Sequence, residues 1–219
     1  MLLSTFWNLL ICFLGTAPET PSQIPSSTRT QIPSSTGSTM ATATPTGLTI
    51  IQAIYATQDV TKNVQSIQKG SNIVLNMSAT DSWSKEDPWV GVRKCLALLY
   101  SYGPSLRTYA ACENDGPFTL GPEINSSSTH EHEITRQGPS SSNFAIVSVV
   151  WGGSEIRDGK VYQTLYDLKS NGTEVLFGNE VFGFDPLVGS AKSGVIWYTE
   201  DDFLTFKSIY DQETQEKGF

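Results

Sequence analysis

From residue 48 onward, the apolar positions follow one sequence of patterns twice. "LTIIQAIYATQDV" (48–60) and "FAIVSVVWGGSEI" (144–156) are both runs of β-branched residues that reach an aromatic, Tyr55 or Trp151. Such runs predict strands buried on at least one face. Each is followed by apolar residues at an i, i+4, i+7 spacing: Val60, Val64 and Ile67 closed by Gly70, then Val161, Leu165 and Leu168 closed by Asn171-Gly172. That spacing ended by glycine predicts a few helical turns. A second strand is expected at Ile73–Asn76, with a counterpart at 174–177.

The next element is spelled almost identically in both places: "DPWVGVRK" at 87–94 and "DPLVGSAK" at 185–192, 98 positions apart. An Asp side chain accepts hydrogen bonds from backbone N–H groups just downstream, and Pro pre-sets φ for a turn. Glycine permits backbone conformations that side chains forbid. Asp87, Pro88 and Gly91, like Asp185, Pro186 and Gly189, are therefore read as structural turns that launch the strands 94–102 and 192–200. Partner strands follow at 106–113 and 203–211. The fold class expected is mainly β: two tandem β-sandwich-like repeats, each with about four strands and a short helix, packed together. Each unit of roughly 70 residues lies near the lower limit for folding alone.

The predicted divisions are repeat 1 at 47–121, a polar linker at 122–142, repeat 2 at 143–213 and a tail at 214–219. Residues 18–46 are rich in Ser, Thr and Pro, contain "QIPSST" twice and have no apolar period, which predicts a disordered stalk. Residues 1–17 are apolar and end in Gly15-Thr-Ala17, which fits a secretory signal although no Lys or Arg precedes the apolar stretch. The expected location is secreted, with no membrane span in the mature chain. A start at Met40, giving a cytoplasmic protein, stays open as the alternative. Three sequons, at Asn76, Asn125 and Asn171, are candidate glycosylation sites under export.

The net charge of −8, with 14 Lys and Arg spread thinly, lacks the clustered positive charge of a nucleic-acid groove. A hairpin centred on Gly103-Pro104 opposes residues whose numbers sum to 207, so Cys95 faces Cys112. Counting back from a hydrogen-bonded pair at Tyr102–Ser105 makes this a non-hydrogen-bonded site, where strands come closest. Two readings remain: a disulfide after export, or two small buried hydrophobes in a reducing compartment.

The repeated pattern resembles the β-rich domain at the C-terminus of a group of mitochondrial DnaJ-like proteins, with stand-alone relatives in bacteria and fungi. The residues carrying the resemblance are Asp59-Val60-Thr61, Asp87-Pro88, Gly91, Lys94 and Tyr100, then Phe182-Gly183, Asp185-Pro186, Gly189, Lys192 and Tyr198. It implies a β-sandwich-like fold and an interaction role, with no catalytic residues to carry over. No J-domain and no His-Pro-Asp triplet is present, so cochaperone activity is not implied.

No catalytic residue, metal or cofactor is nominated. His130 and His132 in "HEHE" supply two ligands without a third and read as a solvated linker. No Gly-x-Ser-x-Gly elbow exists. Trp83 and Trp89 flank the first Asp-Pro turn, where the second has Val181 and Leu187. Loop tryptophans either fill the core beneath or stack on a sugar or partner. The favoured function is a non-catalytic module binding a glycan, protein or small ligand through such aromatics. The alternative is a cyclase- or isomerase-type enzyme with an apolar pocket between the repeats, lined by Tyr100, Trp151, Trp197 and Tyr198.

Overall fold

The structure, a computed structural model, describes residues 30–31, 47–78, 83–84, 87–121, 131–133, 143–173, 175–201, 203–211 and 214–215. The first part of the chain forms β1 (Thr30–Gln31), β2 (Leu48–Tyr55), β3 (Gln58–Asp59), α1 (Thr61–Ser66), β4 (Ile73–Asn76), β5 (Cys95–Tyr102), β6 (Ser105–Cys112), β7 (Pro117–Leu120) and β8 (Glu131–Glu133). The second forms β9 (Phe144–Trp151), β10 (Ser154–Glu155), α2 (Gly159–Asn171), β11 (Val175–Leu176), α3 (Asn179–Phe182), β12 (Ser193–Glu200), β13 (Phe203–Tyr210) and β14 (Thr214–Gln215). The protein is mainly β, with antiparallel sheets and few helices. Among the described residues, no helix is long and apolar enough to cross a membrane.

Two five-stranded sheets have the orders β3-β2-β5-β6-β8 and β10-β9-β12-β13-β1. They pack face to face through Ile54, Ala97, Leu99 and Ala110 of one half and Val147, Val150, Val195, Trp197 and Leu204 of the other. Each sheet buries its opposite face as well. Leu96, Leu98 and Tyr100 meet Val64 of α1 and Ile73 and Leu75 of β4. Ile196 and Tyr198 meet Val161 and Leu165 of α2. Burial on both faces is why "KCLALLYSY" reads as an uninterrupted apolar run rather than an alternating one. The sandwich thus forms between the halves, each supplying the three long strands of one sheet with its helix outside.

The strand starting each half changes parity midway. Leu48 and Ile50, then Ala53 and Tyr55, all face the outer core. A shift of register between Ile50 and Gln52 allows this. The second half repeats the device, with Ile146, then Val149 and Trp151, facing outward around a shift opposite Trp197 and Tyr198. An extra residue in one strand turns the alternation over without breaking the sheet.

The hairpin ladders coincide in register. Residues Cys95 to Tyr102 pair with Cys112 to Ser105, and Ser193 to Glu200 pair with Tyr210 to Phe203, every pair displaced by 98 positions. Cys95 and Cys112 are disulfide-bonded with their Cα atoms 3.9 Å apart. The sheets also share buried polar contacts. Trp197 Nε1 donates to Gln52 Oε1 at 3.1 Å, and the Thr108 and Ser148 hydroxyls lie 2.8 Å apart.

Several elements differ from the sequence expectation. The second strand of each half does not join the main sheet; β4 pairs with β7, and β11 with β14, as separate ribbons. Residues 214–219, expected as a tail, therefore supply a strand at Thr214–Gln215. The linker supplies β8, which pairs with β6. In the stretch expected to be a stalk, Thr30–Gln31 pair with β13. The segment leading into each half thus adds to the sheet of the other half. The remainder of 18–46, residues 1–17 and Met40 lie outside the described residues.

Helix α2 is longer than its three apolar positions suggested. Asp158 caps its first turn by accepting from the Lys160 N–H at 2.9 Å, and Gly172 ends it in a left-handed conformation. Tyr162 of α2 donates its hydroxyl to the Ile156 carbonyl at 3.0 Å. Burial, with the nearby Glu155 charge adding to it, pushes this phenol up to about 12. An unfolded tyrosine ionises near 10.0. The stability from keeping this phenol neutral is therefore complete below pH 10 and is lost as pH rises from about 10 to about 12. Spectrophotometric titration should show a late-ionising phenol that disappears in Tyr162→Phe; an unchanged titration would reject this.

Candidate functional site

The two Asp-Pro turns are built from the same bonds. Asp87 Oδ1 accepts from the Trp89 N–H at 2.9 Å, and Asp185 Oδ1 from the Leu187 N–H at 3.0 Å. A second bond closes each turn, Val92 N–H to the Trp89 carbonyl and Ser190 N–H to the Leu187 carbonyl. Gly91 and Gly189 stand at φ values of 77° and 75°, where only glycine is unstrained.

The motif's last residue explains the rest of the spelling. Lys94 is only 6% exposed, and its Nζ lies 3.0 Å from Asp87 Oδ1 and 3.2 Å from Glu113 Oε1. It also donates to the Val92 and Trp89 carbonyls at 2.8 and 3.2 Å. Lys192, 4% exposed, repeats this with Asp185 at 3.1 Å, Asp211 at 3.5 Å and the Ser190 carbonyl at 2.8 Å. Each turn is thus closed over a buried ammonium shared with the end of the hairpin. Burial opposes the charge on Lys94, but the hydrogen bonds of Asp87 and Glu113 outweigh it and raise its pKa. The Lys94 hydrogen bond holds the Asp87 carboxyl below its ordinary range. Glu113 is itself held by the Tyr55 hydroxyl and the Lys94 N–H.

Both turns lie at one end of the sandwich. The Gly152-Gly153 turn between β9 and β10 is wedged there: a Cβ on Gly153 would lie 2.2 Å from Cys112 Sγ, and one on Gly152 2.5 Å from Pro186 Cγ. The disulfide of the first half is therefore in contact with the second half. Where the first half has Cys95 and Cys112, positions 98 residues on carry Ser193 and Tyr210. Tyr210 packs edge-on against Trp89 with ring centroids 4.7 Å apart. Beside them opens a cleft of about 470 Å³, lined by Asn179, Ser190, Lys192, Tyr210 and Asp211 with Gly189 and Ala191. Val90 and Val188 stand 86% and 85% exposed at the tips of the two turns.

The nominated aromatics separate into two groups. Trp89 is half-buried and belongs to this end. Trp83 is in the core, edge-on to Tyr55 at 4.9 Å. Trp151 stacks on Phe182 at 4.6 Å and donates Nε1 to Asn179 Oδ1 at 3.0 Å. The two outer cores thus hold Tyr with Trp in one half and Trp with Phe in the other. Tyr100 and Trp197 are fully buried, and Tyr198 is buried beneath Lys169, whose Nζ lies 5.0 Å from its ring centre. Side chains of the two sheets occupy the space between the halves.

Asn171 is exposed at the end of α2, whereas Asn76 is half-buried and accepts from the Ser78 N–H. Asn125 and His130 lie outside the described residues; His132 sits on β8 opposite Thr108. Among the described residues, no three His, Cys, Asp or Glu side chains are grouped to hold a metal. The residues that sequence reasoning missed are Lys94 and Lys192 as buried charges, their partners Glu113 and Asp211, and Tyr210. The hairpin register already opposed Lys94 to Glu113, so that ion pair had a signal; the exposure of Tyr210 had none.

No protein-family model, curated protein or solved structure matches the chain.

Proposed function

We propose that this chain is a non-catalytic binding module that uses the end of the sandwich carrying both Asp-Pro turns. The observation that carries this reading is the pair of exposed valines. In Asp-Pro-x-Val-Gly-x-x-Lys, the Asp, Gly and Lys bond or shape the turn, and Pro pre-sets it. Val90 and Val188 do none of this and stand in solvent at equivalent places. With Trp89 and Tyr210 they give one end of the molecule an exposed apolar surface, the usual mark of an interaction site. An enzyme with an apolar pocket between the halves has less support, because Leu99, Val150 and Trp197 fill that layer.

The matching ladders and bulges support an origin by duplication of one sheet-forming unit. The role of each motif residue in the turns supports kinship with the β-rich domain of the DnaJ-like proteins. Export is supported by the buried cystine, which persists in oxidising compartments, together with the apolar 1–17 segment. Mass spectrometry of protein from the culture medium should give a chain lacking 1–17, two hydrogens lighter than its reduced form and glycosylated at Asn171. Recovery only from the cytosol would reject export.

Binding is tested without knowing the ligand. A fragment library titrated against the isotope-labelled full chain should perturb amide signals concentrated in 87–92, 187–192 and 209–211. Perturbations confined to other surfaces, or none, would sink the reading.

A further inference from the structure

We infer that the cleft beside Tyr210 is a subsite for an uncharged sugar ring; this rests on the binding role proposed for this end. The argument begins with charge. Lys192 is the cation of the cleft, and its ammonium is already held by Asp185, Asp211 and the Ser190 carbonyl. Two carboxylates face one committed ammonium, so an anion entering here would meet a net negative field. Phosphates, sulfates and acidic sugars are disfavoured by the same count.

What the cleft offers is one ring and several polar groups. Tyr210 is 37% exposed, and the edge contact with Trp89 fixes its plane. Such a ring presents a flat apolar surface with a hydroxyl at its rim. Asn179 gives its Oδ1 to Trp151 Nε1, which leaves the amide nitrogen as an oriented donor. Asp211 and the Ser190 hydroxyl can accept from neighbouring hydroxyl groups. A partner with an apolar C–H face and a rim of hydroxyls matches this set, which is the chemistry of a pyranose. The volume of about 470 Å³ lies within the range of small-ligand sites and holds one or two rings.

The position arises from the difference between the halves. In the first half the equivalent hairpin pair is the cystine, which packs against Gly153. In the second half Ser193 and Tyr210 stand at those positions, and Tyr210 lines the cleft.

Trp89 is the described tryptophan that is not fully buried and it packs on Tyr210, so a ligand seated against Tyr210 should change its fluorescence. The oxidised full chain is titrated with maltose, cellobiose and N,N′-diacetylchitobiose, and with a sulfated chondroitin disaccharide. At least one neutral disaccharide should give a saturable change, with a dissociation constant on the order of 1 mM. Tyr210→Ala should weaken it at least tenfold, whereas Tyr210→Phe, which keeps the ring, should stay within about threefold. Both variants should melt like the parent. Tighter binding of the sulfated sugar, equal binding by Tyr210→Ala, or no response to any neutral disaccharide would overturn the inference. Fragments that map to this end without any sugar response would end the sugar proposal and leave the binding role standing. If neither sugars nor fragments bind there, both fall.

Discussion

Replacing Cys95 and Cys112 together with alanine is expected to lower the unfolding free energy by about 3 kcal/mol. The bridge spans 17 residues of chain, and a loop of roughly that size loses about this much freedom in the unfolded state when cross-linked. The effect should reach beyond the hairpin, because the cystine lies against the Gly152-Gly153 turn of the second half. Urea unfolding followed by tryptophan fluorescence measures the loss. Reducing the parent protein should move its midpoint by a similar amount, which separates the covalent link from the packing of the side chains. A double variant within about 1 kcal/mol of the parent would mean that the bridge contributes little to the native protein.

The second large effect is expected at Lys192. Lys192→Met keeps the stem but removes the ammonium, leaving Asp185 and Asp211 facing each other beside an unpaired Ser190 carbonyl. Stripping one partner from a buried ion pair costs about 3 kcal/mol, the lower end of the usual range because both carboxylates retain some access to water. Adding Asp211→Asn should restore at least about 1 kcal/mol, since it removes one of the two stranded charges. Denaturation of the single and double variants closes the cycle; additive losses would show that Lys192 and Asp211 do not act together. In the first half, the lowered Asp87 pKa makes that clamp's contribution present above the ordinary aspartate range and lost on acidification. The raised Lys94 pKa makes it present below the ordinary lysine value and lost on strong alkalinisation.

The long strands were legible because burial on both faces wrote them as apolar runs, and the hairpin register followed from one turn at Gly103-Pro104. Even the facing of Cys95 and Cys112 could be counted from that turn. The short edge strands were not legible. Gln58–Asp59, Thr30–Gln31 and Glu131–Glu133 carry no apolar alternation, because the backbone ladder of a neighbour, rather than their own side chains, holds them. At the candidate site, the motif revealed a turn but not its buried charge. Lysine usually keeps its head in water, and only the contacts show that these two do not. Trp83 and Trp89 look alike in the sequence, one on either side of the same acidic turn, yet one fills a core and the other lies beside a cleft. Their separation depends on Tyr55 and Tyr210, which come from distant parts of the chain.

The exchange of leading strands gives the molecule an unusual relation between its parts. A chain severed between Leu120 and Glu131 would yield two pieces, each holding the strip of backbone that completes the other's sheet. Neither piece would be finished alone, and mixing them should regenerate the parent. The protein is in effect a lock that carries its own key in two portions.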